Sequence, residues 1–205
     1  LRLLETQLEP HMLFNTLANL RALITTEPAS AIAMLDRLND YLRATLRASR
    51  SGEAQHAPHT LADEFARLDD YLALMAVRMG PRLRCTLSLP PTLARHPLPP
   101  LLLQPLVENA IRHGLEPHMA GGEINVSAEA QGQDLVLTVS DTGAGCETRP
   151  TATGADAGFG LAQVRERLDT AFGSASPPRF QWHSMPGEGT RITLRLPLQT
   201  SISEP

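Results

Sequence analysis

The sequence predicts an α+β protein, with a helical region over residues 1–80 and a two-layer α/β sandwich over residues 81–198. Aliphatic residues recur every three or four positions in three segments before Gly80, which is the period of a helix with one buried face. After Gly80 they alternate one in two in four segments, which is the period of a strand. Gly80-Pro81 separates the two patterns and marks the predicted domain boundary.

Leu13, Leu17, Leu20 and Ile24 form the seam of the first helix. Thr25-Thr26-Glu27-Pro28 ends it, because proline is tolerated only near a helix start. Ala31, Leu35, Leu38, Leu42 and Thr45 carry the same spacing into a second helix, and the short break predicts an antiparallel hairpin. Ser49 to His59 is polar, contains Gly52 and Pro58, and reads as a loop. Thr60 and Asp63 have the spacing of a capping pair for a third helix, whose seam is Leu61, Phe65, Leu68, Leu72, Met75 and Met79. Gly80-Pro81 stops that helix.

Beyond it, Leu83, Cys85, Leu87 and Leu89 alternate as a strand. So do Ile124, Val126 and Ala128; Leu135, Leu137 and Val139; and Ile192, Leu194 and Leu196. Helices near 101–115 and 160–172 interrupt them, and Gln131-Gly132 suits a hairpin turn. Strands mixed with helices in this way predict a two-layer sandwich.

Hydrophobic residues make up 42% of the chain and aromatics only 4%, so aliphatic side chains must fill the core. A formal charge of -4 gives no basis for nucleic-acid binding. Every basic residue is Arg. Cys85 and Cys146 are far apart and lack metal-ligand spacing, which fits a reducing cytoplasm. The longest apolar run, Leu98 to Val107, is too short and proline-broken to span a bilayer. The chain opens inside a helical pattern, so the expectation is a cytoplasmic fragment of a longer protein.

Three sequence pieces carry chemistry. Gln104-Pro105-Leu106-Val107-Glu108-Asn109-Ala110-Ile111-Arg112-His113-Gly114 is an amphipathic helix bearing an Asn; Asp141-Thr142-Gly143-Ala144-Gly145 is a turn fed by a strand; Gly158-Phe159-Gly160-Leu161 opens a further helix. An amide oxygen is a hard ligand suited to Mg2+, Arg binds phosphate through its planar fork, and a carboxylate can accept from an amino group where an apolar residue cannot. Gly143 and Gly145 permit positive φ and close approach, and helix N-terminal amides favour phosphate. Upstream, Gln7-Leu8-Glu9-Pro10-His11-Met12-Leu13-Phe14-Asn15 sets His11 and Asn15 four apart on one helix face, opposite the Leu13/Leu17 seam. A neutral imidazole on an exposed face is a competent phosphate acceptor.

The order and spacing of these pieces resemble the N, G1 and G2 boxes of the GHKL (Bergerat) ATP-binding fold, shared by histidine kinases, gyrase, Hsp90 and mismatch-repair ATPases. With the His11 segment they resemble the cytoplasmic kinase core of LytS-type sensor histidine kinases, over about Leu4 to Pro197. The resemblance implies an ATP-dependent autophosphorylating kinase, with the phosphoryl group passing from ATP to His11 and then to an Asp of a response regulator, often one with a LytTR domain. Independently, the three aliphatic seams exceed what one helical hairpin can bury, which predicts a homodimer through residues 1–50 as a four-helix bundle; the resemblance implies anchoring of the full-length protein in the bacterial inner membrane through a preceding region. It assigns His11 as acceptor with Asn15 beside it, and ATP binding to Glu108, Asn109, Arg112, His113, Asp141, Gly143, Gly145, Gly158, Gly160, Leu161 and Thr190. Asn109 is its Mg2+ ligand, and Cys146 to Ala157 its lid over ATP. Met12 stands where the family has Phe, and also where most histidine kinases have an acidic residue after the His. Gln7, Glu9 and Asn15 are the nearby candidates to orient the His11 imidazole or accept its proton; Asn15 has the best helical spacing but cannot act as a base, and the group that takes the proton stays open. A non-catalytic scaffold with this fold, and an ATPase of the gyrase sort, are the alternatives. Against the ATPase, the water-activating Glu of those relatives falls here on Pro105, and Glu108 lies roughly 100° around the helix from Asn109.

Overall fold

The structure is a computed structural model that describes residues 10–51, 58–147, 157–172 and 179–198. The chain divides into two compact units, one of residues 1–56 with 70–80 and the other of residues 57–69 with 81–205.

In the first unit, α1 (Pro10–Thr26) and α2 (Pro28–Ser51) are separated by Glu27 alone and pack on each other. Pro28 opens α2, where its missing N–H costs nothing. The expected seams are only partly inward. Ala31, Met34 and Leu38 are buried, as is Thr16, while Leu17, Ile24, Ile32 and Leu35 are 50%, 58%, 63% and 44% exposed. Each helix has aliphatic residues on more of its surface than one neighbour can cover. The expectation that Leu17 faces the core is therefore corrected, and with it the argument that placed His11 and Asn15 on the opposite, solvated side.

α3 (Leu61–Met79) runs through both units, and its six predicted seam residues are all buried. The Thr60–Asp63 capping box forms: Asp63 N–H donates to Thr60 Oγ1 at 3.3 Å, and Thr60 N–H to Asp63 Oδ2 at 2.9 Å. Gly80, at φ +59°, takes the left-handed conformation that ends the helix.

In the second unit, a five-stranded sheet has the order β1-β2-β3-β5-β4, from β1 (Leu83–Ser88), β2 (Gly122–Gln131), β3 (Asp134–Asp141), β4 (Arg179–Met185) and β5 (Gly189–Pro197). β1 runs parallel to β2 and the other neighbours are antiparallel. Ile124, Val126, Leu137, Val139, Ile192 and Leu194 face inward, and their strands pack on Ala110–Leu115, the continuation of α4 (Gln104–Asn109), which in turn packs on α5 (Ala157–Phe172). Burial of these aliphatic side chains, at roughly 1.5–3 kcal/mol each, holds the two layers together. The Gln131-Gly132 hairpin is present, with Gly132 at φ +65°. β4 was not among the predicted strands; it is an edge strand with few aliphatics.

The helix expected near 101–115 is divided. It is α-helical only over Gln104–Asn109, then widens into a π turn over Ala110–Leu115, where Glu116 N–H reaches Ile111 O at 2.8 Å. The loop before it turns at Leu101, which holds φ 59° without being glycine. Glu64 of α3 fixes that loop, accepting from Leu101 N–H at 3.0 Å and Leu103 N–H at 2.8 Å. Arg167 of α5 donates to the carbonyls of Pro100 and Leu101.

Candidate functional site

A cavity of about 350 Å³ opens between the helical layer and the sheet. The wide turn contributes Asn109, His113 and Gly114, with Leu106 and Ala110 beside them. β3 contributes Val139 and Asp141, and the turn after it Gly145 and Cys146. α5 contributes Leu161, and the β4–β5 pair Trp182, Thr190 and Ile192. The lining is mainly apolar, with a few polar groups at fixed points, which is the usual composition of a small-molecule site.

Asp141 is the most constrained of those groups. It is 6% exposed, and burial pushes its pKa up to about 6, against the opposing backbone N–H bonds of Gly143 and Thr190. The Gly143 bond is 2.9 Å long. The carboxyl lies where Gly114 has no side chain: a Cβ there would stand 2.5 Å from Asp141 Oδ1 and 2.9 Å from its Cγ. Thr142 pins the turn to β2, its N–H donating to Glu123 O at 3.0 Å and its hydroxyl accepting from Glu123 N–H at 2.9 Å. Gly145 has φ +59° and packs against the Met185 carbonyl, a position closed to any side chain.

Of the residues expected from the sequence, Asn109, His113, Asp141, Gly145, Leu161 and Thr190 line one cavity. Gly143 sits behind it, against the backbone of Gly114, whose carbonyl accepts from Ala144 N–H at 2.9 Å. Arg112 does not line the cavity; in the widened turn the residue four beyond Asn109, His113, does so instead. Glu108 also lies off the lining, and Gln104 Nε2 donates to its Oε1 at 2.7 Å. Pro105 occupies the first helical turn, where proline is common. Gly158 and Gly160 fall in the first turn of α5, and their surroundings lie outside the described residues, as does 148–156 of the expected lid. His11 and Asn15 lie in the first turns of α1; their side chains, and Gln7 and Glu9, are outside the described residues.

The sequence reading missed Gly114, Trp182 and Ser184. Gly114 had a signal, since a glycine inside a helical pattern often marks a close approach. Phe180, Trp182 and Ser184 also alternate, but too few aliphatics accompany them to stand out as a strand. Among the described residues, no group of three or more His, Cys, Asp or Glu could hold a metal ion by itself, and no helix is long and apolar enough to cross a membrane.

Comparison with known proteins agrees with this architecture. Residues 1–83 match the family described as histidine kinase, and residues 99–200 match the histidine kinase-, DNA gyrase B- and HSP90-like ATPase family. The chain is 32% identical over 197 residues to Sensor histidine kinase BtsS of Escherichia coli (strain K12), covering 96% of this chain and 33% of that protein. It is 30% identical to Sensor histidine kinase YesM of Bacillus subtilis (strain 168), covering 98% of this chain and 34% of the relative. It is 29% identical to Sensor protein LytS of Staphylococcus saprophyticus, covering 95% and 33%. The chain thus spans about a third of the length of these curated relatives. Among solved structures, the histidine kinase domain of the blue-light activated kinase EL346 of Erythrobacter litoralis shares the fold at a TM-score of 0.54 and 16% identity, over 79% of this chain and 75% of that one. The catalytic domain of histidine kinase ThkA aligns at a TM-score of 0.52 and 12% identity, over 68% of this chain and 95% of that one.

Proposed function

We propose, from the premise that this chain belongs to the histidine kinase family and carries its ATPase-like nucleotide-binding fold, that it transfers the γ-phosphoryl group of ATP to His11. The phosphoryl group then passes to an aspartate of a response regulator, which we assign to the LytTR type by the resemblance to LytS. The observation that carries the reading is that, among the described residues, Asn109 and Asp141 line the same cavity. Asp141 can accept from the adenine amino group, and the Asn109 amide can hold a magnesium ion that the nucleotide's phosphates and water otherwise coordinate. Magnesium would supply charge neutralisation at the phosphates. The protein's own part is to position, with His113 as a hydrogen-bonding group on the cavity wall and Arg112, off the lining beside it, assigned to the phosphates by the family resemblance.

The proposal assigns residues 1–80 to dimerisation and phosphotransfer and 81–198 to ATP binding. The aliphatic edge of Leu17, Ile24, Ile32 and Leu35 supports a homodimer, since a second copy can cover what one chain leaves open. Catalysis is placed on the cytoplasmic side of the bacterial inner membrane, where ATP and the regulator are present.

The test is labelling with γ-labelled ATP. His11→Gln should lose the acid-labile label while binding nucleotide as wild type does; undiminished labelling would remove His11 from the reaction. Sustained phosphate release by that variant, lost on Asn109→Ala, would instead point to an ATPase whose water-activating base stands elsewhere than position 105, where Pro105 has none.

A further inference from the structure

Ser184 of β4 is a hydrogen-bond hub at the edge of the cavity. Cys146 N–H donates to its Oγ at 2.9 Å; its Oγ lies 3.0 Å from the Gly189 carbonyl and 2.9 Å from Thr190 Oγ1. The Cys146 thiol, 3.7 Å away, donates only weakly to the same oxygen and shares a lone pair with the stronger donors. A hydroxyl has one proton and two lone pairs. The Gly189 carbonyl can only accept, so the Ser184 proton is committed to it. One Ser184 lone pair takes the Cys146 N–H. The bond to Thr190 is then left with one polarity, in which the Thr190 hydroxyl donates into the second Ser184 lone pair.

That polarity has a consequence inside the cavity. With its proton turned toward Ser184, Thr190 offers the cavity only lone pairs. Asp141 stands directly opposite Thr190 in the β3–β5 register, and its ionised carboxylate also only accepts. Two acceptors side by side suit the two N–H groups of one amino substituent, directly or through a water. They repel a carbonyl oxygen in the same place.

We propose that Ser184 is a positioning residue for nucleobase selectivity: by fixing the Thr190 hydroxyl as an acceptor, it makes the site favour a 6-amino purine over a 6-oxo purine. The inference rests on the nucleotide reading of the cavity. Removing Ser184 frees the Thr190 hydroxyl to rotate and donate to an oxo group. One hydrogen bond whose polarity is no longer imposed changes a binding ratio by up to about tenfold.

The experiment measures dissociation constants for ATP and for inosine triphosphate, which carries an oxo group at position 6, by calorimetry. Wild type should prefer ATP. Ser184→Ala should lower the ATP-to-inosine preference about tenfold, chiefly by tighter inosine binding. Ser184→Thr, which keeps the hydroxyl, should restore the preference. Thr190→Val removes the acceptor with little change of shape and should also lower the preference, which keeps the test open if Ser184→Ala folds poorly. An unchanged ratio in folded Ser184→Ala, or in Thr190→Val, overturns the proposal. Wild-type protein that binds neither nucleotide overturns the nucleotide reading itself, a result distinct from lost selectivity.

Discussion

The carboxylate of Glu64, on α3, accepts the backbone N–H of Leu103 at 2.8 Å, 39 residues further along the chain. α4 has no side-chain cap of its own, and Glu64 supplies that function from another helix, reaching Leu101 N–H as well. His59 Nε2 lies 2.9 Å from the same carboxylate. Glu64 is 0% exposed, so burial alone would raise its pKa, but the bonds from His59 and Leu103 outweigh burial and the pKa is lowered.

Glu64→Ala should therefore strand buried N–H donors and cost about 3 kcal/mol or more of stability, read by urea unfolding. Because the loop it holds leads directly into Asn109, ATP affinity should fall in the same variant. A depressed carboxylate pKa contributes stability that is present above the unfolded value of about 4.5 and lost as pH falls through the lower folded value. The wild-type advantage over Glu64→Ala should narrow in acid. An Ala variant as stable as wild type at neutral pH would show that the loop holds itself.

Asp141 behaves in the opposite sense. Its folded pKa is raised by burial from 3.8 to about 6, so ionising it between those values costs the folded state stability. The penalty is absent below both values and complete above about pH 6. Asp141→Asn should gain stability relative to wild type as pH rises across that window. Nucleotide binding needs the ionised acceptor, so wild-type ATP affinity should drop by up to tenfold per pH unit below about 6. Flat affinity from pH 5 to pH 8 would mean that the carboxylate does not meet the base.

Gly114→Ala tests how closely the wide turn approaches Asp141. The added methyl group would stand 2.5 Å from Asp141 Oδ1, so the carboxyl must leave its place. We expect ATP affinity to fall about a hundredfold or more, with the overpacking costing roughly 1–3 kcal/mol of stability and circular dichroism retaining the fold. Near-normal affinity would mean that Asp141 has freedom the packing does not suggest.

Local rules set much of this molecule. The three helical segments, the Thr60–Asp63 cap, the Gln131-Gly132 hairpin and four of the five strands follow from periodicity and turn chemistry, which act over a few residues. The Asp141 turn and the helix carrying Asn109 were legible for the same reason, as contiguous motifs. Tertiary structure decided what depends on distant partners. It chose which side of α1 and α2 is covered, because each helix carries more aliphatic surface than its neighbour can bury. It widened the helix after Asn109 so that His113, and not Arg112, lines the cavity. It brought Glu64 to the loop before α4, and Ser184 to Thr190 across a hairpin. A hydroxyl in the sequence can donate or accept; only the neighbours that claim its proton and lone pairs determine which it presents to a ligand.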